Sequence, residues 1–171
     1  QETPGQQTSP ATSAKDSGNL QWPEAEAENY KKMVNSYLEM KNKLVNDQKA
    51  NDQASDLLQA TQKIAMSSFS NASHMKWMEL NKTIGEHTQA IANTGKLDEQ
   101  RKQFIELSNA MISLVKTFQA PENTLFVQFC PMADDNKGAF WLSKENQVRN
   151  PYYGDQMLTC GEVREEVRKR N

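Results

Sequence analysis

From Trp22 to Pro121 the apolar residues recur at steps of three and four, and that spacing constrains the fold more than any other feature of the chain. Tyr30, Met33, Val34, Tyr37, Leu38, Met40, Leu44 and Val45 form one stripe, and Ala50, Ala54, Leu57, Leu58, Ile64, Ala65 and Phe69 a second. Trp77, Leu80, Ile84, His87 and Ile91 form a third, and Phe104, Leu107, Met111, Leu114 and Phe118 a fourth. Each stripe is the dry face of an amphipathic helix and needs a partner to cover it. Pro23 suits the first turn of a helix, where its missing N–H is not needed. Asp47 or Asn51, the run Ser70–Ser73, and Asp98 offer N-caps. Gly95 offers a left-handed residue after the third helix, and Pro121 stops the fourth. Four helices with short breaks imply antiparallel neighbours. The predicted fold is mainly α: an antiparallel four-helix bundle over about residues 23–120.

The character changes after Pro121. Thr124 to Cys130 and Ala139 to Leu142 are rich in aromatic and β-branched residues, and Pro131 to Gly138 between them is turn-forming. This predicts a β-hairpin. Arg149 to Gly154 reads as an irregular loop, and Cys160-Gly161 leads into a short polar helix. The small hairpin and loop module, about residues 121–171, belongs with the bundle in a single domain of ordinary size. Residues 1–22 carry Ser, Thr, Pro, Gly and Gln with no large apolar side chain before Leu20. Such a segment buries too little to offset its ordering entropy, and reads as a disordered tether of the kind that follows a removed export signal.

A net charge of −2 argues against a nucleic-acid partner, which requires a basic face. No apolar run approaches the roughly 20 residues of a membrane span. No GxSxG, Walker loop or CxxC points to an enzyme.

Gln100-Arg101, Phe104, Leu107-Ser108, Gln128 to Ala133, Lys137 to Ser143, Arg149 to Gly154, Met157 to Gly161 and Val163 together resemble the family DUF3347, common in Bacteroidetes. The resemblance spans the folded part and is sharpest over residues 100–163. It implies an exported domain of the periplasm or outer envelope, free-standing or attached to the adaptor subunits of heavy-metal efflux pumps, with a lipid anchor ahead of the first residue as one arrangement. Copper or silver handling, with an efflux adaptor or another envelope protein as partner, follows from that association.

The residues themselves allow two chemistries. Thiolate and thioether sulfurs are soft donors that select Cu(I) or Ag(I). Cys130 and Met132 would face one side of a strand, and Met157 and Cys160 one side of a helical turn. Folded together, the four would close a sulfur metal site. Alternatively Cys130 and Cys160 form a disulfide worth about 3.5 kcal/mol, and the methionines are packing residues. The aromatic group near these residues is either a satellite core or, through Trp141, Asn150, Tyr152 and Tyr153, a partner surface. His87 reads as a hydrogen-bonded core histidine, while His74 beside Met75 at a helix start is a looser soft-metal possibility.

Overall fold

The computed structural model of the chain describes residues 20–169. Four long helices, α1 (Ala27–Val45), α2 (Asn51–Gln62), α3 (Asn71–Asn93) and α4 (Leu97–Phe118), pack against one another in chain order. Three short strands follow: β1 (Leu125–Cys130), β2 (Ala139–Ser143) and β3 (Glu162–Val167). They form one antiparallel sheet in the order β2-β1-β3. The fold is mainly helical with this small sheet at its C-terminal end, and β2 lies against α4 and α1.

Most of the stripe residues read from the sequence are buried, but Ala65 is exposed, Leu58 and His87 are half-buried, and α2 ends at Gln62, short of Ile64, Ala65 and Phe69. Met33, Tyr37, Met40, Leu44, Leu57, Trp77, Ile84, Ile91, Phe104, Leu107 and Met111 are all fully buried in one continuous core. The helix ends are closed differently from expectation. Gly95 is not left-handed, and Thr94 leaves α3 in an extended conformation. The carbonyls at the end of α3 are met instead by side-chain amides. Asn51 Nδ2 donates to Ala92 and Thr94, and Gln100 Nε2 to Ile91 and Thr94. A helix end satisfied this way needs no glycine. Neither Ser70 nor Asp98 caps its helix with a side-chain bond: Lys96 precedes α4, and Asp98 sits in its first turn. At the far end of α4, Gln119 takes a positive φ of 70°, and the Tyr30 hydroxyl donates to its carbonyl.

The folded part begins by Leu20, ahead of the predicted boundary. Trp22 stacks on Tyr30 at 4.3 Å between ring centroids and meets Phe69, Trp77 and Phe118 edge-on at 5.0–5.2 Å. Burying an aromatic residue of this size anchors the chain as a core residue does. The rest of the predicted tether, residues 1–19, lies outside the described residues.

The hairpin forms as expected, with Cys130 opposite Ala139. The predicted polar helix after Gly161 does not form. Glu162–Val167 is a strand, paired with β1 from Leu125 to Phe129. Its backbone groups complete the second edge of β1, a gain that a solvated helix end could not match.

Candidate functional site

Cys130 closes β1, the central strand, and Cys160 stands one residue ahead of Gly161 and β3. The return of β3 alongside β1 therefore carries Cys160 back to Cys130. The two Sγ atoms lie 2.9 Å apart, closer than unbonded sulfurs normally approach and longer than an S–S bond of about 2.05 Å. Both thiols are free; Cys130 is fully buried and Cys160 half-buried. Gly161 makes the approach possible. Its φ is +139°, and a Cβ there would lie 2.8 Å from the Phe129 carbonyl oxygen and 3.1 Å from the Trp141 ring. Only glycine tolerates both the conformation and the contact.

Asn150 fixes the segment that carries Cys160. Its Nδ2 donates to the Cys160 carbonyl at 2.9 Å, while its Oδ1 accepts from the amides of Tyr152 and Tyr153 at 2.8 and 3.2 Å. The Asn150 amide donates to Leu158 O, and the Cys160 amide to Met157 O.

The hydrogen bond with Cys130 raises the pKa of the Cys160 thiol, as do burial and the negative charge Cys130 would carry. The Cys160 thiol in this setting holds its proton at neutral pH and makes a weak nucleophile. Among the described residues neither thiol has a basic hydrogen-bond partner. The pair suits two chemistries that remove both protons: oxidation to a disulfide, or replacement of the protons by a soft cation.

The methionines are placed differently from the cysteines. β1 ends at Cys130, so strand alternation does not reach Met132, which takes a helical conformation and is 47% exposed. Its carbonyl accepts from the Tyr153 hydroxyl at 2.6 Å. Met157 follows a 3₁₀ turn (Gly154–Gln156) with φ −147° and ψ 57°, so it shares no helical face with Cys160. The two cysteines come together, but the methionines do not lie on the shared faces that periodicity predicted. Among the described residues no group of three or more His, Cys, Asp or Glu side chains could hold a metal ion.

The expected partner surface is largely interior. Trp141 and Asn150 are fully buried, and Trp141 Nε1 donates to Gln128 Oε1 at 2.9 Å. The Tyr152 hydroxyl donates to Phe140 O at 2.5 Å, and its ring packs on Phe104 and Trp141. Tyr153 is half-buried over the Cys130–Met132 turn. Of the aromatic group, Trp141 is core, and Phe140, Tyr152 and Tyr153 are half-buried and packed against it. His87 is half-buried and pairs with Gln103 at 2.7 Å, while the neighbouring Thr88 takes the core position.

Several polar side chains whose role sequence reasoning missed hold this end of the molecule together. Fully buried Gln100 also accepts from the Ala50 amide at 2.9 Å. Arg101 donates to Pro151 O, Leu44 O and Asp47 Oδ1 at 2.7–2.8 Å, tying α4 to the end of α1 and to the 150s loop. Gln128 Nε2 points at the carbonyls of residues 145–147. The Tyr37 hydroxyl bonds Ser108 Oγ at 2.7 Å and accepts from the Leu142 amide at 3.0 Å. Lys41 is buried with its Nζ 3.4 Å from Ser143 Oγ, and burial lowers its pKa to about 8. The available signal was polar residues inside apolar stripes: Gln100 and Ser108 flank Phe104 and Leu107.

Residues 33–123 match the model of a family described as a protein of unknown function, DUF3347. No curated protein and no solved structure matches the chain. The matched span covers α2 to α4 and most of α1, and ends just before β1, so the cysteine pair lies beyond it.

Proposed function

The chain belongs to the DUF3347 family, and we propose that it is an envelope domain whose Cys130–Cys160 pair binds Cu(I) or Ag(I) for sequestration or hand-over to an efflux adaptor. The observation that carries this reading is the meeting of two free thiols, 2.9 Å apart, at the end of the central strand. Thiolate pairs select soft monovalent cations over harder ones. Met132 and Met157, which lie between the two cysteines in sequence, would be the further thioether donors of this reading once their side chains turn toward the pair. Four helices packed in chain order act as its rigid base, which we read as an up-down bundle.

The same short separation favours a second reading, in which the pair closes as a disulfide stapling β1 to the segment before β3 and the domain is a protein-interaction module. The two are joined if the site is reversible: bridged when oxidised, ligating when reduced.

Titrating the reduced protein with Cu(I) against a chromogenic competitor, with thiols counted before and after reduction, separates them. The metal reading expects one equivalent bound more tightly than about 1 μM and lost in Cys130→Ser. No tight equivalent in the reduced protein, together with a quantitative disulfide in the native one, would overturn it and leave the stapled module.

A further inference from the structure

Three large apolar side chains are exposed among the described residues, and all three are methionines: Met75 at 70%, Met78 at 49% and Met132 at 47%. Two of them sit three residues apart at the start of α3, next to His74. The buried face of α3 is made by Ser73, Trp77, Leu80, Ile84, Thr88 and Ile91. At about 100° per residue, with His74 at zero, that face centres near 280°. Met78 then falls at about 40° and Met75 at about 100°, so Met75 points directly away from the core. One imidazole and two thioethers thus share an arc of about 100°. His74 and Met78 are related by i,i+4, and Met75 and Met78 by i,i+3, the spacings at which helical side chains are neighbours.

The core does not account for this placement. Neither Met75 nor Met78 belongs to the hydrophobic cluster. On α3 the charged residues nearest in sequence are Lys76 and Glu79, paired with each other at 3.5 Å, and exposed Lys82 one turn further on. A thioether with three rotatable bonds can turn toward a shared point above the helix. Two thioethers and an imidazole form a donor set dominated by soft sulfur, which suits a monovalent soft cation and poorly suits Zn²⁺, Ca²⁺ or Mg²⁺.

We propose that His74, Met75 and Met78 form a surface site for Cu(I) or Ag(I), separate from the thiol pair and independent of its redox state. The site is open to solvent on one side, and its two thioethers carry no proton that the cation must displace. It therefore exchanges metal readily, as an acceptor or donor in transfer would.

The test uses the full chain with ¹³C-labelled methionine methyls, titrated with silver nitrate in chloride-free buffer. The expected result is a shift of the Met75 and Met78 methyl signals, while those of buried Met33, Met40 and Met111 stay in place. In a Cys130→Ser/Cys160→Ser background one equivalent remains, and adding Met75→Leu/Met78→Leu removes it without changing the thermal midpoint. Leucine serves because it is a good helix former at an exposed position. Methyl signals of Met75 and Met78 that do not respond to silver, or an equivalent that survives the leucine pair, would overturn the proposal. Because the methyls report the site directly in the wild-type chain, the outcome is separate from that at the thiols. Either site can fail while the other binds.

Discussion

Replacing Tyr37 by Phe tests whether the buried polar joint between α1, α4 and β2 holds the sheet to the helices. β2 is an edge strand, paired with β1 on one side only. On its other side the Leu142 amide donates to the Tyr37 hydroxyl at 3.0 Å, and the Phe140 carbonyl accepts from Tyr152 at 2.5 Å. The tyrosines thus close an edge that water would otherwise have to reach. Since Tyr37 Oη accepts from Leu142, its own proton goes to Ser108 Oγ at 2.7 Å. Tyr37→Phe keeps the ring stack on Phe104 at 5.1 Å but leaves the Leu142 amide without a partner in a dry interior. An orphaned buried donor costs about 1–3 kcal/mol, and the lost bond to Ser108 adds about 1 kcal/mol, so the expected loss is about 3 kcal/mol. Ser108→Ala should cost about 1–2 kcal/mol, because it strands the Tyr37 proton. The two changes share a bond, so the double variant should fall short of their sum by about 1 kcal/mol. Urea unfolding followed by tryptophan fluorescence, with the slope checked for constancy, gives all three values. A Tyr37→Phe loss below about 0.5 kcal/mol, or strict additivity in the cycle, would refute the account.

Two further perturbations follow from buried charge. Glu26 accepts hydrogen bonds from Asn29 Nδ2, the Ala65 amide and Ser68 Oγ at 3.0–3.2 Å; the Asn29 bond is the largest of the causes that lower its pKa. Its stabilisation is present above the ordinary carboxylate value of 4.5 and is lost as pH falls through the depressed one. Glu26→Gln should therefore flatten the acid limb of a stability–pH curve, and an unchanged limb would count against the account. Lys41 is lowered from 10.5 to about 8, chiefly by burial. The unfolded chain holds this proton over a range where the folded chain does not, so stability should rise with pH between about 8 and 10.5. Lys41→Met should abolish that rise and stabilise the protein at pH 7 by about 3 kcal/mol, at about 1.4 kcal/mol per tenfold change in proton affinity. Ser143 would keep its bond from the Glu145 amide. Chemical denaturation at pH 7, 8.5 and 10 decides it, and a destabilised Lys41→Met would show that the ammonium is needed.

The helices were legible because burial imposes a period on the sequence, and the four stripes needed only that period to be seen. β3 was not legible, for a physical reason. Val163 and Val167 are four apart and Glu and Arg are good helix formers, so Glu162–Arg168 carries a helical pattern. What makes it a strand is the unpaired edge of β1, which lies far away in sequence. Its charges suit the outer edge it occupies, where they discourage pairing with another chain. The same limit hid the end of α3. Thr94-Gly95 has the form of a glycine stop, but Asn51 and Gln100 come from other helices to meet the carbonyls, and nothing local announces them. The meeting of Cys130 and Cys160 was expected from the hairpin but comes about through the pairing of β3 with β1, and the placing of Met132 and Met157 was not legible. Their predicted faces assumed that the strand ran on past Cys130 to Met132 and that a helical turn ran on past Gln156 to Cys160.

The polar residues that looked most like chemistry in the C-terminal third are mostly accounted for by backbone groups that a small sheet cannot satisfy alone. Three strands bury little, and the loops between them would leave amides and carbonyls stranded against the helices. Gln128 answers Glu145 to Gln147, Asn150 answers Cys160, Tyr152 and Tyr153, and Arg101 answers Leu44 and Pro151. Each of these side chains uses its donors or acceptors on structure, so its presence in a motif needs no ligand to explain it. The sulfur donors are different. The two thiols partner only each other, and Met75 and Met78 serve neither the core nor any hydrogen bond. Soft donors left over once the structural demands are met are the groups on which a function of this domain should be sought, and both groups left over favour the same class of cation.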